Sequence, residues 1–544
     1  MSSLTLPAVP GGRRTGGLAL TPDDAVKLIP NDATIAVGGT GSLLQVPETL
    51  LAALERRWNT TQSPTDLTVI HVMGLGDHTG RGTDHIAIPG LVKRFVGSHF
   101  VLSPRQQAVI AANDVEAIGL PAGTISLLYR EIAGGRPGLF TDIGLDTFVD
   151  PRQQWGCMNP RTTAGMSEIV TIGDQEWLFY PRFDIDIALL RATEADADGN
   201  IGMDDEAAIG DNFAIAQAVH NSGGLVIVEV KRQAERGAIP AGRVRIPGGL
   251  VDHVVITDYP NQTPITVSDS RRTGAELNQA TNVPALAFDE RKVVARRAAM
   301  ELCEGDLANL GVGMANGISY VALEEGFLDR FTLTVEQGIF GGLPGVGLDS
   351  GTAINPSAVV DMPGTFDLYD GGGLDFAGLA FAQIDRRGNV NVAGVGSKPI
   401  GPGGFIDISQ KARTVVFCGT LRGGGLSVDL SDGDLAITHE GRYPKFVEKV
   451  DYISFNAARA VARGQRVLYI TERAVFTLGA DGVELIEIAP GVDLRRDILG
   501  QMGFTPLIRT PLDVMQRRLF LPAPAGIQPL PARRNDIRER LLDR

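Results

Sequence analysis

Residues 186–201 read DIALLRATEADADGNI, and residues 375–390 read DFAGLAFAQIDRRGNV. Set 189 residues apart, they superpose Asp186 on Asp375, Ala188 on Ala377, Leu190 on Leu379, Asp196 on Asp385, Gly199 on Gly388 and Asn200 on Asn389. Each copy opens as an apolar strand and closes in a D-x-x-G-N turn, where Asp caps local N–H groups and Gly-Asn tolerates positive φ. The same spacing carries LVIVEV (225–230) onto TVVFCG (414–419), two further β-rich runs. Earlier in each half, DATIAVGG (32–39) echoes DLANLGVG (306–313), Asp on Asp, and LTVIHVMG (67–74) echoes FTLTVEQG (331–338). Strands alternate with helical patterns: Thr21-Pro22-Asp23-Asp24 is a capped helix start, and 290–302 is helical by composition. The pattern predicts an α/β protein with mostly parallel sheets, built as two related open α/β domains from an internal duplication in one chain. The expected divisions are a flexible tail at 1–20, a first domain at 21–265, a polar linker at 266–282, a second domain at 283–521 and a Pro/Arg-rich arm at 522–544, extended with a short terminal helix at most.

Composition narrows the function. The 544 residues are 43% hydrophobic and 21% charged, enough to bury large cores and unlike a disordered chain. Three cysteines, Cys157, Cys303 and Cys418, make neither a disulfide scaffold nor a C-x-x-C motif, and the seven histidines form no H-E-x-x-H, so no metal site is expected. The net charge of −14 offers no general footprint for nucleic acid. Anions would be held by backbone N–H groups, helix N-termini or a few arginines. The excess of 42 Arg over 8 Lys reads as genome composition. No stretch has the length of a signal peptide or a membrane span, which leads to an expected cytoplasmic location and no membrane partner.

Three glycine-rich segments stand where α/β sites lie, at the carboxyl ends of strands. In VEQGIFGGLPGVG (335–347), a strand runs into Glu336 and then into a glycine loop that would let a substrate approach the backbone. The weaker repeat sets Glu336 on Val72, so only the second half offers the acid. Glu336 reads either as a reactive carboxylate or as a cap for local N–H groups. In GVGMANG (311–317), a G-x-G turn ahead of a helix could hold a phosphate or an oxyanion. Glu336 follows Gly313 at near the spacing of a ribose-binding acid, so a nicotinamide-dependent oxidoreductase is a rival reading. Gly38-Gly39-Thr40-Gly41 invites the same rival more weakly. In GPGGF (401–405), glycines precede a β-like or helical run and could present N–H groups, or simply turn the chain.

Beyond these motifs, the sequence resembles the family I coenzyme A transferases, the 3-oxoacid/acetate/propionate CoA-transferase group, in fused single-chain form. The resemblance runs from about 21 to 521. It rests on GLGDHTGRGTDHIAIPGLVKRFVGSHF (74–100), LYREIAGGRPGLFTDIGLDTFVDPR (128–152), ARRAAMELCEGDLANLGVGMANG (295–317), TLTVEQGIFGGLPGVG (332–347), YDGGGLDFAG (369–378) and GPGGFIDISQKARTVVFCGT (401–420).

The resemblance implies two α/β domains of related topology and a glutamate nucleophile at Glu336. It also implies oxyanion donors at Val312, Gly313 and Gly404, and contacts to coenzyme A along Gly311, Gly313, Met314, Gly403 and Gly404. The expected activity moves coenzyme A from an acyl-CoA to a carboxylic acid through a glutamyl-CoA thioester. The acyl-CoA is a substrate, and no separate cofactor is needed. An acyl-CoA hydrolase on the same scaffold and a non-catalytic CoA-binding protein are the other rivals. A homodimer or homotetramer is expected, with the proline-rich arm available to pack on a neighbour. Three departures bear on substrate choice: Leu75 where a polar residue is usual, Met314-Ala315-Asn316, and Gln337 directly after the glutamate. Leu75 is accordingly expected beside the acyl or acceptor pocket.

Overall fold

The computed structural model describes residues 19–276 and 282–533. Most of the expected N-terminal tail, part of the linker and the charged end of the arm lie outside them.

The duplication is visible as two ten-stranded sheets. The first half contributes β1 (Thr34–Val37), β2 (Leu67–His71), β3 (Ile187–Ala195), β4 (Leu225–Gln233) and β5 (His253–Ile256). The second half contributes β6 (Leu307–Leu310), β7 (Thr332–Val335), β8 (Phe376–Ala380), β9 (Thr414–Cys418) and β10 (Arg466–Ile470). They pair in the order β5-β4-β3-β1-β2 in one sheet and β10-β9-β8-β6-β7 in the other, and every one of these pairings is parallel. The sheets differ at their margins. The first adds parallel strands Val92–Gly97 and Glu116–Gly119 beyond β2. The second folds back into antiparallel strands, Ile339–Phe340 beyond β7 and Ala474–Gly479 beyond β10.

The repeated aspartates explain why the repeat is so regular. Asp186 accepts the Thr34 N–H at 2.8 Å, and Asp375 accepts the Leu307 N–H at 3.1 Å, so each ties the start of one central strand to its neighbour. Asp196 accepts the N–H groups of Asp198 and Asn200 and the Asn200 side-chain amide, and Asp385 does the same for Arg387 and Asn389. These bonds also correct one alignment. Thr34 is the counterpart of Leu307, and Gly38, bonded to the Leu189 carbonyl, is the counterpart of Gly311, bonded to the Gly378 carbonyl. The Asp32-on-Asp306 match is therefore one residue out of register. The match of Val72 to Glu336 holds, because Thr68 pairs with Thr34 as Thr332 pairs with Leu307.

Between the sheets lie three helices, α1 (Ala122–Ala133), α2 (Met362–Asp370) and α3 (Phe405–Lys411). α2 packs against both α1 and α3. Met362, Phe366, Phe405 and Ile406 of the second half belong to the same apolar core as the first-half strands, so the halves share a continuous interior. A separate core under the second sheet is built around Val293, Ile318, Phe327 and Leu519.

Two expectations change. The glycine segment after Glu336 is not an open loop but a hairpin, with Ile339–Phe340 pairing β7 and Leu343–Pro344 pairing Ala353–Ile354. The arm, as far as residue 533, packs on its own second half. Arg296 donates to the carbonyls of Leu519, Leu521 and Ala523, and Glu325 accepts the N–H groups of Ala525, Gly526 and Ile527. Among the described residues no helix is long and apolar enough to cross a membrane.

Candidate active site

Glu336 is the first residue after β7, in the three-residue turn before Ile339–Phe340. Gly338 closes that turn at φ +97°, and a side chain there would run into the Val360 carbonyl. The turn stands on a buried polar base. The Tyr369 hydroxyl donates to Thr334 Oγ1 at 2.7 Å, and Asn309 Nδ2 donates to Tyr369 Oη at 3.1 Å and to the Thr334 carbonyl at 3.2 Å. Asn309 pairs with Thr334 across β6 and β7, and two residues further on that register sets Gly311 beside Glu336.

The glutamate lies deep, although part of its side chain reaches a surface. Oε1 accepts a long bond of 3.4 Å from Gln337 Nε2, while Oε2 is enclosed with no hydrogen-bond partner. Burial pushes its pKa up to about 7, against a smaller opposing effect of the Gln337 amide. A carboxylate with so few donors is poorly stabilised as an anion and correspondingly reactive.

Gly404 forms the opposite wall. A Cβ at this position would overlap Glu336 Oε2, so only glycine allows the approach. Gly404 caps α3, and its turn is clamped to the first half. The Gly403 N–H donates to the Ser98 carbonyl at 2.8 Å, the Ala122 N–H donates to the Gly403 carbonyl at 2.9 Å, and the Phe100 N–H donates to the Ile400 carbonyl at 2.8 Å. The glycines of 401–405 thus lead into a helix and lie at the junction of the halves.

The Gly311–Met314 segment contributes differently. The Gly311 N–H is committed to the Gly378 carbonyl at 2.8 Å, and the Met314 side chain packs on the second-half core. Val312 is 67% exposed, and a Cβ on Gly313 would meet nothing. Among the described residues, no acceptor takes the backbone N–H of Val312, Gly313 or Gly404.

Leu75 departs from expectation. It is 0% exposed within the first-half core, its carbonyl accepting from Thr83 N–H and Ser103 Oγ. The sequence reading singled out Gln337 and the Gly38–Gly41 turn without what they touch, and it passed over Asp407. Gln337 is 3% exposed and holds Glu336 Oε1. The loop after Gly38 reaches the second half, where a Cβ on Gly351 would touch Leu44 at 2.9 Å and Gln337 at 3.3 Å. Its one local signal is the three glycines of GGTG; the strained Leu43 (φ +60°) and Gln45 (φ +55°) are not readable from residue type. Asp407 is buried beside this site, and its only signal is an acid in the otherwise apolar run FIDI.

Comparison with known proteins decides the family. A family model described as Coenzyme A transferase matches residues 19–257. Acetate CoA-transferase YdiF of Escherichia coli K12 is 43% identical over 511 residues, covering 93% of this chain and 96% of the relative. Caffeate CoA-transferase of Acetobacterium woodii is 42% identical over 505 residues, covering 91% and 96%. The chain belongs to the coenzyme A transferase family. It is an enzyme of that class, in single-chain form. The crystal structure of the E. coli O157:H7 acyl-CoA transferase YdiF, in a thioester complex with CoA, superposes on the transferase with a TM-score of 0.91 at 41% identity, covering 96% of this chain and 100% of that one. The alpha subunit of Streptococcus mutans citrate lyase shares the fold at 14% identity and a TM-score of 0.51, covering 88% and 84%. The transferase class replaces the oxidoreductase reading of the glycine turns at 38–41 and 311–317.

Proposed function

We propose that the transferase moves coenzyme A from an acyl-CoA to a carboxylic acid by a ping-pong mechanism, with Glu336 as nucleophile. The observation that carries this reading is the unpartnered Glu336 Oε2, enclosed at a strand end and facing Gly404. The carboxylate attacks the thioester carbonyl, and collapse of the tetrahedral adduct gives an acyl-glutamyl anhydride and CoA thiolate. The thiolate attacks the glutamyl carbonyl, releasing the first carboxylate and leaving a glutamyl-CoA thioester. An acceptor carboxylate attacks that thioester, again forming an anhydride and thiolate. Attack of the thiolate on the acceptor's acyl carbon then frees the new acyl-CoA and restores Glu336. No proton is gained or lost, so the site needs no adjacent base. Serine in this place would form an ester and forfeit the activation of the thioester.

Each step passes through an oxyanion. The uncommitted N–H groups of Val312, Gly313 and Gly404 are its donors, each worth about 10²–10³ in rate. Gly311, Met314 and Gly403 shape the approach of the CoA thioester through backbone alone. Acetate and aromatic acids such as caffeate, named for the two relatives, are the first acceptors to assay. The test is borohydride treatment of enzyme loaded with acyl-CoA alone, followed by peptide mass spectrometry. A thioester at Glu336 is reduced to the alcohol, which lowers the peptide's mass by the difference between one oxygen and two hydrogens. An unmodified peptide with sequential kinetics overturns the mechanism.

A further inference from the structure

Asp407 is the third residue of α3, on the same helix face as its cap Gly404. It is fully buried, and neither carboxyl oxygen closes a hydrogen bond of normal geometry. An acid at this position commonly reaches back to the N–H of the capping residue. Here that bond is not made. The carboxyl turns instead across the junction of the halves to the first turn of α1, where a Cβ on Gly123 would stand 2.5 Å from Oδ1 and 2.8 Å from Phe366 of α2. With Asp407 turned away, the Gly404 N–H has no acceptor among the described residues.

We propose that Asp407 is a positioning residue: wedged between α3 and Gly123, it holds the Gly404 turn against Glu336 while leaving the Gly404 N–H free for the oxyanion. The role rests on Glu336 being the nucleophile. The surroundings favour the uncharged form. Burial is the main cause, followed by the like charge of Asp370; Glu336 adds to it, and the nearby Gly123 N–H opposes it. The charge of Asp407 is also felt by Tyr180 of the strand Gln175–Pro181, while Lys411 and Asp142 act on Asp370. An ionised Asp407 would set a second negative charge beside Glu336 and draw water into the junction, disturbing the Gly404 turn.

The experiment compares Asp407→Asn, Asp407→Leu and Gly123→Ala with the wild type. It reads kcat and KM from pH 5.5 to 9.5, the rate of borohydride-trapped adduct at Glu336, and thermal stability. The wild type should lose activity at alkaline pH, and a wild-type profile without that fall would overturn the proposal; Asp407→Asn, uncharged and of the same shape, should keep kcat within about threefold and lack the fall. Asp407→Leu and Gly123→Ala, which empty or displace the wedge, should lower kcat and adduct formation by about 10²-fold with KM little changed, since ~1 Å of misplacement costs that much. Asp407→Asn as inactive as Asp407→Leu, or with the alkaline fall intact, would overturn the proposal; so would normal kcat in Asp407→Leu. If Asp407→Leu does not fold, the pH profile of Asp407→Asn decides alone. Absence of any wild-type adduct at Glu336 would instead strike the nucleophile reading.

Discussion

The reactivity proposed for Glu336 follows from what the fold withholds from it. With one oxygen unpartnered and its pKa raised to about 7, the carboxyl is half protonated near neutrality rather than fully ionised. In the proposed mechanism the ionised form attacks, so kcat/KM for acyl-CoA should fall about tenfold per pH unit below about 7, and a profile flat to pH 5 would show that burial does not tune it. The same shift costs stability. The fold favours the neutral carboxyl, so the benefit is complete below its ordinary value of 4.5 and is lost as the pH rises through about 7. At pH 8 the wild type carries a penalty of roughly 2–3 kcal/mol that Glu336→Gln removes. Calorimetry should find the inactive variant melting higher at pH 8 and level with the wild type near pH 4.5. Gly404→Ala should act oppositely, leaving the melting temperature almost unchanged while transfer drops by about 10²-fold or more, because the new methyl takes the space of Oε2. The sequence made Glu336 legible through its place after an apolar strand and before glycines. It marked Gln337 only as a departure and could not reveal what Gln337 or Asp407 touches, which depends on the direction in which a side chain turns.

At the level of strands and turns, the legible parts were those with a chemical reason to repeat. The D-x-x-G-N turns were readable because Asp, Gly and Asn each do a fixed job there, and both copies form the same three bonds. Asp385→Ala removes three acceptor bonds at a buried site and should cost about 2 kcal/mol in urea unfolding, with Asp196→Ala costing a similar amount. Equal denaturation midpoints for variant and wild type would count against the turns as the pins of the repeat. The four-residue strands β1 and β6 were harder to align. Their glycine-flanked runs match nearly as well one residue out of register, and the bonds that Asp186 and Asp375 accept, with those of Gly38 and Gly311, select the pairing. The hairpin after Glu336 was hidden because its strands are two residues long, and glycine-rich composition points to a loop.

The two halves form one working unit because the site's wall is seated across them. Leu75 shows the limit of reading specificity from family departures: it fills the first-half core, and Leu75→Gln would bury an amide and destabilise the fold rather than retune the acid preference. The arm shows the same limit for assembly. A homodimer or homotetramer remains the proposed state, formed through other surfaces, since residues 519–533 are engaged within their own chain. Ending the chain after Pro522 should strand Arg296 and Glu325 without several of their partners. The melting temperature should then fall by several degrees while light scattering gives the same oligomer as the full chain. Dissociation on truncation would restore the arm as an intersubunit tie.

The clamp of Gly403 by Ser98 and Ala122 has a consequence for how the enzyme survives dilution. The turn proposed to take part in catalysis belongs to one half and its anchor to the other, so a complete site requires the two halves to meet. Carrying both in one polypeptide gives each a fixed effective concentration of the other, of millimolar order for a short tether and indifferent to how much enzyme is in the vessel. Specific activity should therefore stay constant down to nanomolar enzyme, where an unlinked pair of comparable halves would come apart and fall silent.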